Sequence, residues 1–146
     1  MGKNLIYKAK TQRGILGFFL AITVASFSTE NLSGGLLFFR ILITVFILVA
    51  IFIQYKFKID DGHLTYQILF LTVPIYKKVV YPNQIIQIKF KRVGWAKKAT
   101  IIQVKKGVNI RLVNFVPNNI FGELINFANK YSISISKTRD YLILEK

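Results

Sequence analysis

The 146-residue chain contains no cysteine, one histidine and only six acidic side chains. Without cysteine it can form neither a disulfide bond nor a thiolate metal site. One histidine and few carboxylates leave little material for acid–base catalysis, which needs titratable groups placed near one another. The sequence also has no glycine-rich phosphate loop followed by Lys-Ser or Lys-Thr, and no nucleophile elbow. It therefore predicts a protein that is not an enzyme and that binds no metal or cofactor.

The chain has an excess of positively charged residues and of hydrophobic residues. Its formal net charge is +15, and 53% of its residues are hydrophobic. The apolar excess lies in residues 14–53, where Glu30 and Arg40 are the only charged side chains. Residues 1–13 carry four basic and no acidic side chains, whereas residues 54–146 carry 16 basic and five acidic ones. This division predicts a basic N-terminus, an apolar segment and a basic domain.

Two apolar runs in the middle segment predict a pair of antiparallel transmembrane helices, at about 14–29 and 34–53. At about 1.5 Å per residue they would be about 24 Å and about 30 Å long, against a hydrocarbon core of about 30 Å. Basic residues flank both outer ends, so the positive-inside rule predicts a multi-pass plasma-membrane protein with both termini in the cytoplasm. Two alternatives stay open for the first run: a cleaved signal peptide, or part of a soluble core.

One charge interrupts the second run. Arg40 lies six residues into it, about 9 Å along the helix, so its long stem can carry the guanidinium back to the near interface. Glu30 is expected near that interface and is a candidate ion-pair partner. Alternatively, Arg40 contacts a partner helix or a ligand, because charges within membranes tend to be functional. Arg40 and Glu30 are the predicted intramembrane charges.

The basic domain alternates apolar and polar residues over short stretches, which is typical of β-strands. Asp61-Gly62 is the strongest hairpin signal, and a second hairpin is centred on Lys106-Gly107. Six strands are predicted, at 55–59, 64–70, 75–81, 85–92, 100–105 and 109–115, and residues 132–136 are a candidate seventh. Pro117 and the asparagines after it mark the start of one amphipathic helix, at about 118–130. Residues 141–144 either continue the sheet or pack loosely.

Four segments of this domain resemble bacterial pleckstrin-homology-like (PH-like) domains. They are Ile59-Asp60-Asp61-Gly62-His63-Leu64-Thr65, Val79-Val80-Tyr81-Pro82-Asn83-Gln84-Ile85-Ile86-Gln87-Ile88, Lys105-Lys106-Gly107-Val108-Asn109-Ile110 and Phe115-Val116-Pro117. The resemblance covers residues 54–131. It implies an α+β fold in which a two-helix transmembrane hairpin precedes a PH-like β-barrel or sandwich of about six to seven strands, closed by one α-helix. It also implies binding or scaffolding in the bacterial plasma membrane, and some such anchored proteins resemble self-immunity proteins of bacteriocin producers.

The candidate binding residues are basic side chains around the only tryptophan. Five cations lie within ten positions and flank the predicted loop 93–96, so the predicted membrane-surface set is Lys89, Lys91, Arg92, Trp95, Lys97 and Lys98. An indole favours the polar boundary of a bilayer, and each basic side chain near anionic lipid contributes about 1 kcal/mol. An anionic lipid bilayer is therefore the predicted partner, and a merely solvated basic face is the alternative. Nucleic acid is a less favoured partner, because the anchor already supplies an anionic surface.

Asp60, Asp61 and His63 lie close together in sequence and suggest a metal or acid–base site, but the Asp-Gly turn explains their spacing more simply. The favoured function is protection of the membrane against a membrane-active peptide, as in bacteriocin immunity. The alternative is an accessory or scaffold subunit of a transporter or envelope complex. These two functions imply a membrane-active peptide or a membrane-protein partner, respectively.

Overall fold

The computed structural model describes residues 4–28 and 33–146, which form a mixed α+β structure, as predicted. The strands in these ranges are β1 Leu5–Ala9, β2 Ile53–Asp60, β3 His63–Phe70, β4 Val73–Val80, β5 Ile85–Val93, β6 Lys97–Val104, β7 Ile110–Val113, β8 Phe115–Val116 and β9 Ser134–Lys137. The helices are α1 Arg13–Ala25, α2 Gly34–Phe52, α3 Ile120–Lys130 and α4 Arg139–Ile143, with 3-10 turns at Ser26–Ser28 and Pro82–Gln84.

The strands form two open sheets. The five-stranded sheet has the order β4-β3-β2-β1-β8 with antiparallel neighbours, and the four-stranded sheet has the order β7-β6-β5-β9 with β9 parallel to β5. One hydrophobic core joins both sheets and α3, and its fully buried side chains include Phe57, Phe90, Ile102 and Leu124. The described residues thus contain nine strands, two or three more than predicted.

The sheet begins before the apolar segment. In β1 the side chains alternate, with Tyr7 buried and Lys8 exposed, and the strand lies between β2 and β8. Pairing with β2 runs from Leu5 opposite Ile59 to Lys8 opposite Lys56. The domain predicted to start at residue 54 was therefore incomplete, because a central strand comes from the predicted basic N-terminus. A local pattern does not reveal this strand, since the two helices separate it from its partner.

Because β1 and β2 are adjacent and antiparallel, the start of α1 and the end of α2 lie at the same end of the five-stranded sheet. We call this end, where β1 stops at Ala9 and β2 starts at Ile53, the helix end. β3 runs back toward it, so the β3–β4 turn also lies there. The Asp61-Gly62 turn lies at the opposite, distal end.

The two apolar helices leave almost all of their side chains uncovered. α1, which is described in full, has no buried side chain, and α2 buries only Ile47. Among the described helices, α2 alone is long and apolar enough to cross a membrane, with 19 residues and a mean hydropathy of 2.7. α1 is shorter, and it lies in contact with α2. Residues 29–32, at the end of the first predicted run and in the connector, lie outside the described residues.

Both predicted hairpin turns are confirmed. Asp60 pairs with His63 across the Asp61-Gly62 turn, and β6 pairs with β7 around Gly107, with φ of +97° at Gly62 and +85° at Gly107. A turn without such a signal joins β3 to β4 through Leu71 and Thr72, at φ +52° and +88°. Non-glycine residues in such conformations cost about 1–3 kcal/mol each, so this turn is strained.

The C-terminal region agrees with the sequence in part. α3 begins two residues after its predicted start, and Ile120, Leu124 and Phe127 bury its apolar face. The candidate seventh strand is β9. Residues 141–144 do not continue the sheet, and the alternative of loose packing is wrong for Tyr141 alone, since Leu142 and Ile143 are 45% and 62% exposed. Tyr141 belongs to α4 and is 1% exposed, with its ring 5.5 Å from that of Phe90. Five residues are too few for a helical period to show in the sequence.

Candidate functional site

Three of the predicted cations lie on the face of the four-stranded sheet that points away from the core. Side chains at alternate strand positions share a face, and Phe90 points into the core, so Lys89 and Lys91 point outward. Lys97 joins them because it pairs with the outward Val93. Arg111 of β7 is opposite the outward Ile101 and extends the set. We call Lys89, Lys91, Lys97 and Arg111 the basic face.

The described residues that complete this face carry no acidic side chain. The other outward positions of the four strands are Gln87, Val93, Ala99, Ile101, Gln103, Val113, Ser134 and Ser136. Four cations on one face of a sheet, with no carboxylate at the other outward positions, form an extended positive field. Such a surface fits an anionic plane better than it fits a small anion, which would need donors that converge on one point.

The other two predicted cations lie on the opposite face. Arg92 and Lys98 are paired with each other and share the side of Phe90. The Arg92 guanidinium donates hydrogen bonds to the backbone oxygens of Gly94 and Trp95, and so it holds the β5–β6 turn. The Lys98 ammonium lies 5.5 Å from the centre of the Tyr141 ring. The structure therefore does not bring Arg92 and Lys98 together with the basic face.

Trp95 is at the tip of the β5–β6 turn, and 92% of its surface is exposed. This turn lies on the side of the molecule where α1 begins. The backbone oxygen of Asn114 accepts a hydrogen bond from the Lys10 amide at 2.8 Å, and Ala96 and Asn114 line one shallow cavity. An exposed indole on the side where an apolar helix begins has the position expected of an interfacial anchor.

A second group of cations gathers at the helix end. Lys8 is directly opposite Lys56, and like charges in such cross-strand pairs destabilise a sheet. Lys8 and Arg13 also line a groove of about 420 Å³, together with Ala9, Thr11, Gln54 and Tyr55. An anion above this junction would relieve the repulsion. Sequence analysis did not place Lys8 beside Lys56, because the pairing of β1 was not predicted.

The carboxylates near the Asp-Gly turn are held in local contacts at the distal end. Asp60 Oδ2 lies 3.2 Å from His63 Nε2, and Asp61 Oδ1 accepts hydrogen bonds from Lys130 at 2.5 Å and Tyr131 at 3.0 Å. The bonds from Lys130 and Tyr131 lower the pKa of Asp61. In the described parts of the chain, no group of three or more His, Asp or Glu side chains is arranged to hold a metal. These contacts support the turn explanation of the three residues.

Arg40 links the two apolar helices. Its guanidinium donates a hydrogen bond to the backbone oxygen of Ser26, at the end of α1. The Thr44 hydroxyl donates to the Arg40 carbonyl at 2.8 Å within α2. Glu30, the predicted partner of Arg40, lies outside the described residues. The contact with Ser26 was not predicted, because it depends on how the two helices pack.

A tyrosine-lined groove is the other feature that sequence analysis missed. Tyr66 and Tyr76, with Arg111 nearby, line a groove of about 410 Å³ between β3–β4 and the edge strand β7. The Tyr55 and Tyr66 rings are stacked with centres 6.4 Å apart, and burial together with neighbouring tyrosines raises the pKa of Tyr66. Tyr66 is partly buried against the core, whereas Tyr76 is 45% exposed. The groove has the size and polarity to receive a side chain or a short segment of a partner.

No family model matches this chain, and a search of curated proteins finds no significantly similar sequence. The PH-like resemblance and the immunity-type function that it implies therefore remain predictions. The chain itself offers three features from which to infer function: exposed apolar helices, cations where those helices meet the sheet, and an exposed tryptophan on the same side.

Proposed function

We propose that the chain is an integral protein of the bacterial plasma membrane whose sheet domain lies against the anionic cytoplasmic leaflet. The observation that carries this proposal is the uncovered surface of α2. Phe38 and Phe46 on this helix are 69% and 74% exposed. Since burying one such side chain is worth about 1.5–3 kcal/mol, a helix of 19 residues that buries only Ile47 needs an apolar surrounding.

The pairing of β1 with β2 supports an even number of membrane crossings. The strands that precede α1 and follow α2 are neighbours in one sheet, so both must lie on the same side of a bilayer. If α2 crosses the bilayer, α1 must therefore cross it in the opposite direction. Arg13–Ser28 would be about 24 Å long, which local thinning of the bilayer can accommodate. Lys8, Arg13 and Lys56 at the helix end favour the cytoplasmic side for the domain.

The arrangement of the domain supports a PH-like plan for the sheets and α3. Two antiparallel-rich sheets enclose one core, and a single amphipathic helix follows the last strand of the predicted region. This chain adds β1 before the apolar helices and β9 with α4 after the PH-like region. In this proposal the domain binds and positions, and it performs no chemistry.

Within this setting we favour protection of the membrane against a membrane-active peptide. The two helices would occupy bilayer next to the domain and obstruct insertion or assembly of the peptide. The basic face and Trp95 would keep the domain on the lipid surface and so hold the helices in place. The alternative, an accessory subunit of a transporter or envelope complex, is favoured by one observation: the tyrosine-lined groove is open to a partner segment.

The test is to express the full chain in a sensitive bacterium and to measure killing by a panel of membrane-active peptides. We expect selective protection against one class of peptide. Protection should fall when Lys89, Lys91 and Lys97 are all changed to Glu. It should persist when Lys105 and Lys106, which are exposed in the β6–β7 loop, are changed to Glu.

Two results would contradict this account. No protection, with expression and membrane insertion confirmed, would reject the immunity role, and a partner captured by crosslinking through Tyr76 would then favour the accessory subunit. Equal protection by both charge-reversal variants would show that the basic face does not hold the domain.

A further inference from the structure

The tip of the β3–β4 hairpin, residues Phe70–Ile75, is an apolar turn at the helix end. Its six residues, Phe-Leu-Thr-Val-Pro-Ile, include no charge. Leu71 is 51% exposed, Val73 62% and Ile75 61%. Turns that face water are normally polar, because their backbone and side chains have to be solvated. A hairpin tip of this composition therefore needs a surrounding other than water.

The residue types in this turn do not match its backbone conformation. Both central residues have positive φ, a conformation that favours Asn-Gly. The chain does place glycine at positive φ in its other hairpin turns, at Gly62, Gly94 and Gly107. Here Leu71 and the β-branched Thr72 take those positions against their local preference. Sites at which a local rule is broken in this way are expected to serve a function.

The tip adjoins the last residue of α2. The Leu71 amide donates a hydrogen bond to the Phe52 carbonyl at 3.3 Å, and the Phe52 and Phe70 rings meet edge to face with centres 6.3 Å apart. Phe70 is also opposite Ile53, the first residue of β2. The tip is thus level with the point at which α2 joins the sheet, and Phe52 is itself 40% exposed there.

We propose that the β3–β4 tip enters the bilayer beside α2 and buries Leu71, Val73 and Ile75 where the headgroups meet the acyl chains. This inference rests on the proposed membrane crossing of α2. The order of residues along β4 fits this position. The apolar tip would lie deepest, Tyr76 follows at the level of the interface, and Lys77 and Lys78 follow at the level of the headgroups. Continuity with α2 selects the acyl region of a bilayer as the occupant rather than a soluble protein.

Pro74 suits the same surrounding. β4 is the edge strand of its sheet, so its outer backbone groups lack a neighbouring strand, and such groups are costly in lipid. Proline carries no amide hydrogen and so removes one donor at this edge. The extra residue Ile75, at the irregularity between the Leu69–Pro74 and Ile68–Tyr76 pairs, bends the strand locally. Together with the two helices, the basic face and the Trp95 turn, the tip would add a contact with the membrane and so help to fix the orientation of the domain.

The test places a single tryptophan at the tip of the full chain. In a Trp95→Phe background, Val73→Trp puts an indole at the tip without a positive φ, and Leu71→Trp provides a second position. The proteins are reconstituted into vesicles with phosphatidylglycerol and either ordinary or brominated acyl chains. We expect blue-shifted emission from Val73→Trp, strong loss of intensity with brominated chains, and weak quenching by acrylamide in water.

Two matched variants separate the possible failures. Phe46→Trp reports the membrane position of α2, and Val108→Trp, 77% exposed in the β6–β7 loop, reports a site that should remain in water. Quenching of Phe46→Trp by brominated chains without quenching at either tip position would overturn the inference and leave the crossing of α2 intact. If Phe46→Trp is not quenched either, the proposed membrane protein is rejected together with the inference. A tip shielded from acrylamide but not quenched by brominated chains would show a protein contact, either a second copy or a partner, and would also overturn it.

Discussion

At the distal end of the domain, the Asp61 carboxylate accepts hydrogen bonds from Lys130 and Tyr131 and so ties the β2–β3 turn to the end of α3. The same bonds lower the pKa of Asp61, and the bond to Asp61 raises the pKa of Lys130. Both side chains of the ion pair are more than half exposed, so solvent screens the pair and its contribution to stability is small. It is nevertheless measurable, because it depends on pH.

Replacement of Asp61 by Asn should lower the free energy of unfolding at neutral pH. A carboxyl whose pKa is lowered in the folded state adds stability above its ordinary pKa of 3.8, and this stability is lost as the pH falls through the lowered value. The difference between wild type and Asp61→Asn should therefore vanish in acid. Denaturant unfolding in detergent across this range measures it, with Tyr131→Phe as a milder variant that removes one of the two bonds. Parallel pH profiles for wild type and Asp61→Asn would contradict the assignment.

Among the elements, β1 has the largest effect on where the sheet domain can be separated from the helices. It is a central strand of the five-stranded sheet, and Tyr7 at its middle is 1% exposed in the core. Removing a buried aromatic side chain of this kind costs about 3–5 kcal/mol, and removing the strand also leaves β2 without one neighbour. A cut at residue 54 therefore passes through the domain rather than beside it.

A fragment of residues 54–146 is expected to misfold or aggregate. A chain in which a short Gly-Ser linker replaces residues 11–52 keeps β1 next to β2 and should fold as a soluble domain. Circular dichroism and size-exclusion chromatography distinguish the two, and Tyr7→Ala in the linked chain should reduce its stability toward that of the fragment. A well-folded 54–146 fragment, as stable as the linked chain, would show that β1 is dispensable.

The elements that sequence could predict are those whose signals are local. Asp61-Gly62 and Lys106-Gly107 carry their turn chemistry in adjacent residues, and the period of α3 repeats over three turns. β1 could not be placed, because 43 residues (10–52) separate it from its partner β2. Strand alternation alone separates Lys89 and Lys91 from Arg92, and Lys97 from Lys98. That Lys97, rather than Lys98, shares the face of Lys89 and Lys91 depends on the pairing of Val93 with Lys97, which local sequence does not show.

For the molecule as a whole, charge and apolar surface are arranged along one axis. Lys8, Arg13 and Lys56 gather where the apolar helices join the sheet, whereas at the distal end Asp60 and Asp61 form ion pairs with Lys58 and Lys130. The exposed Trp95 and the β3–β4 tip lie on the side of the helices. This polarity is what a protein needs in order to rest on an anionic leaflet with its helices in the bilayer. We propose that these helices cross the membrane and return.

The most direct test uses the absence of cysteine, since each introduced cysteine is then the only one in the chain. Asn4, Ser33 and Lys106 are exposed and lie before β1, at the start of α2 and in the β6–β7 loop. A membrane-impermeant maleimide added to intact cells should label Ser33→Cys, and it should label Asn4→Cys and Lys106→Cys only after permeabilisation. Labelling of Asn4→Cys or Lys106→Cys from outside, or of Ser33→Cys only after permeabilisation, would contradict the proposed crossing and return of the chain.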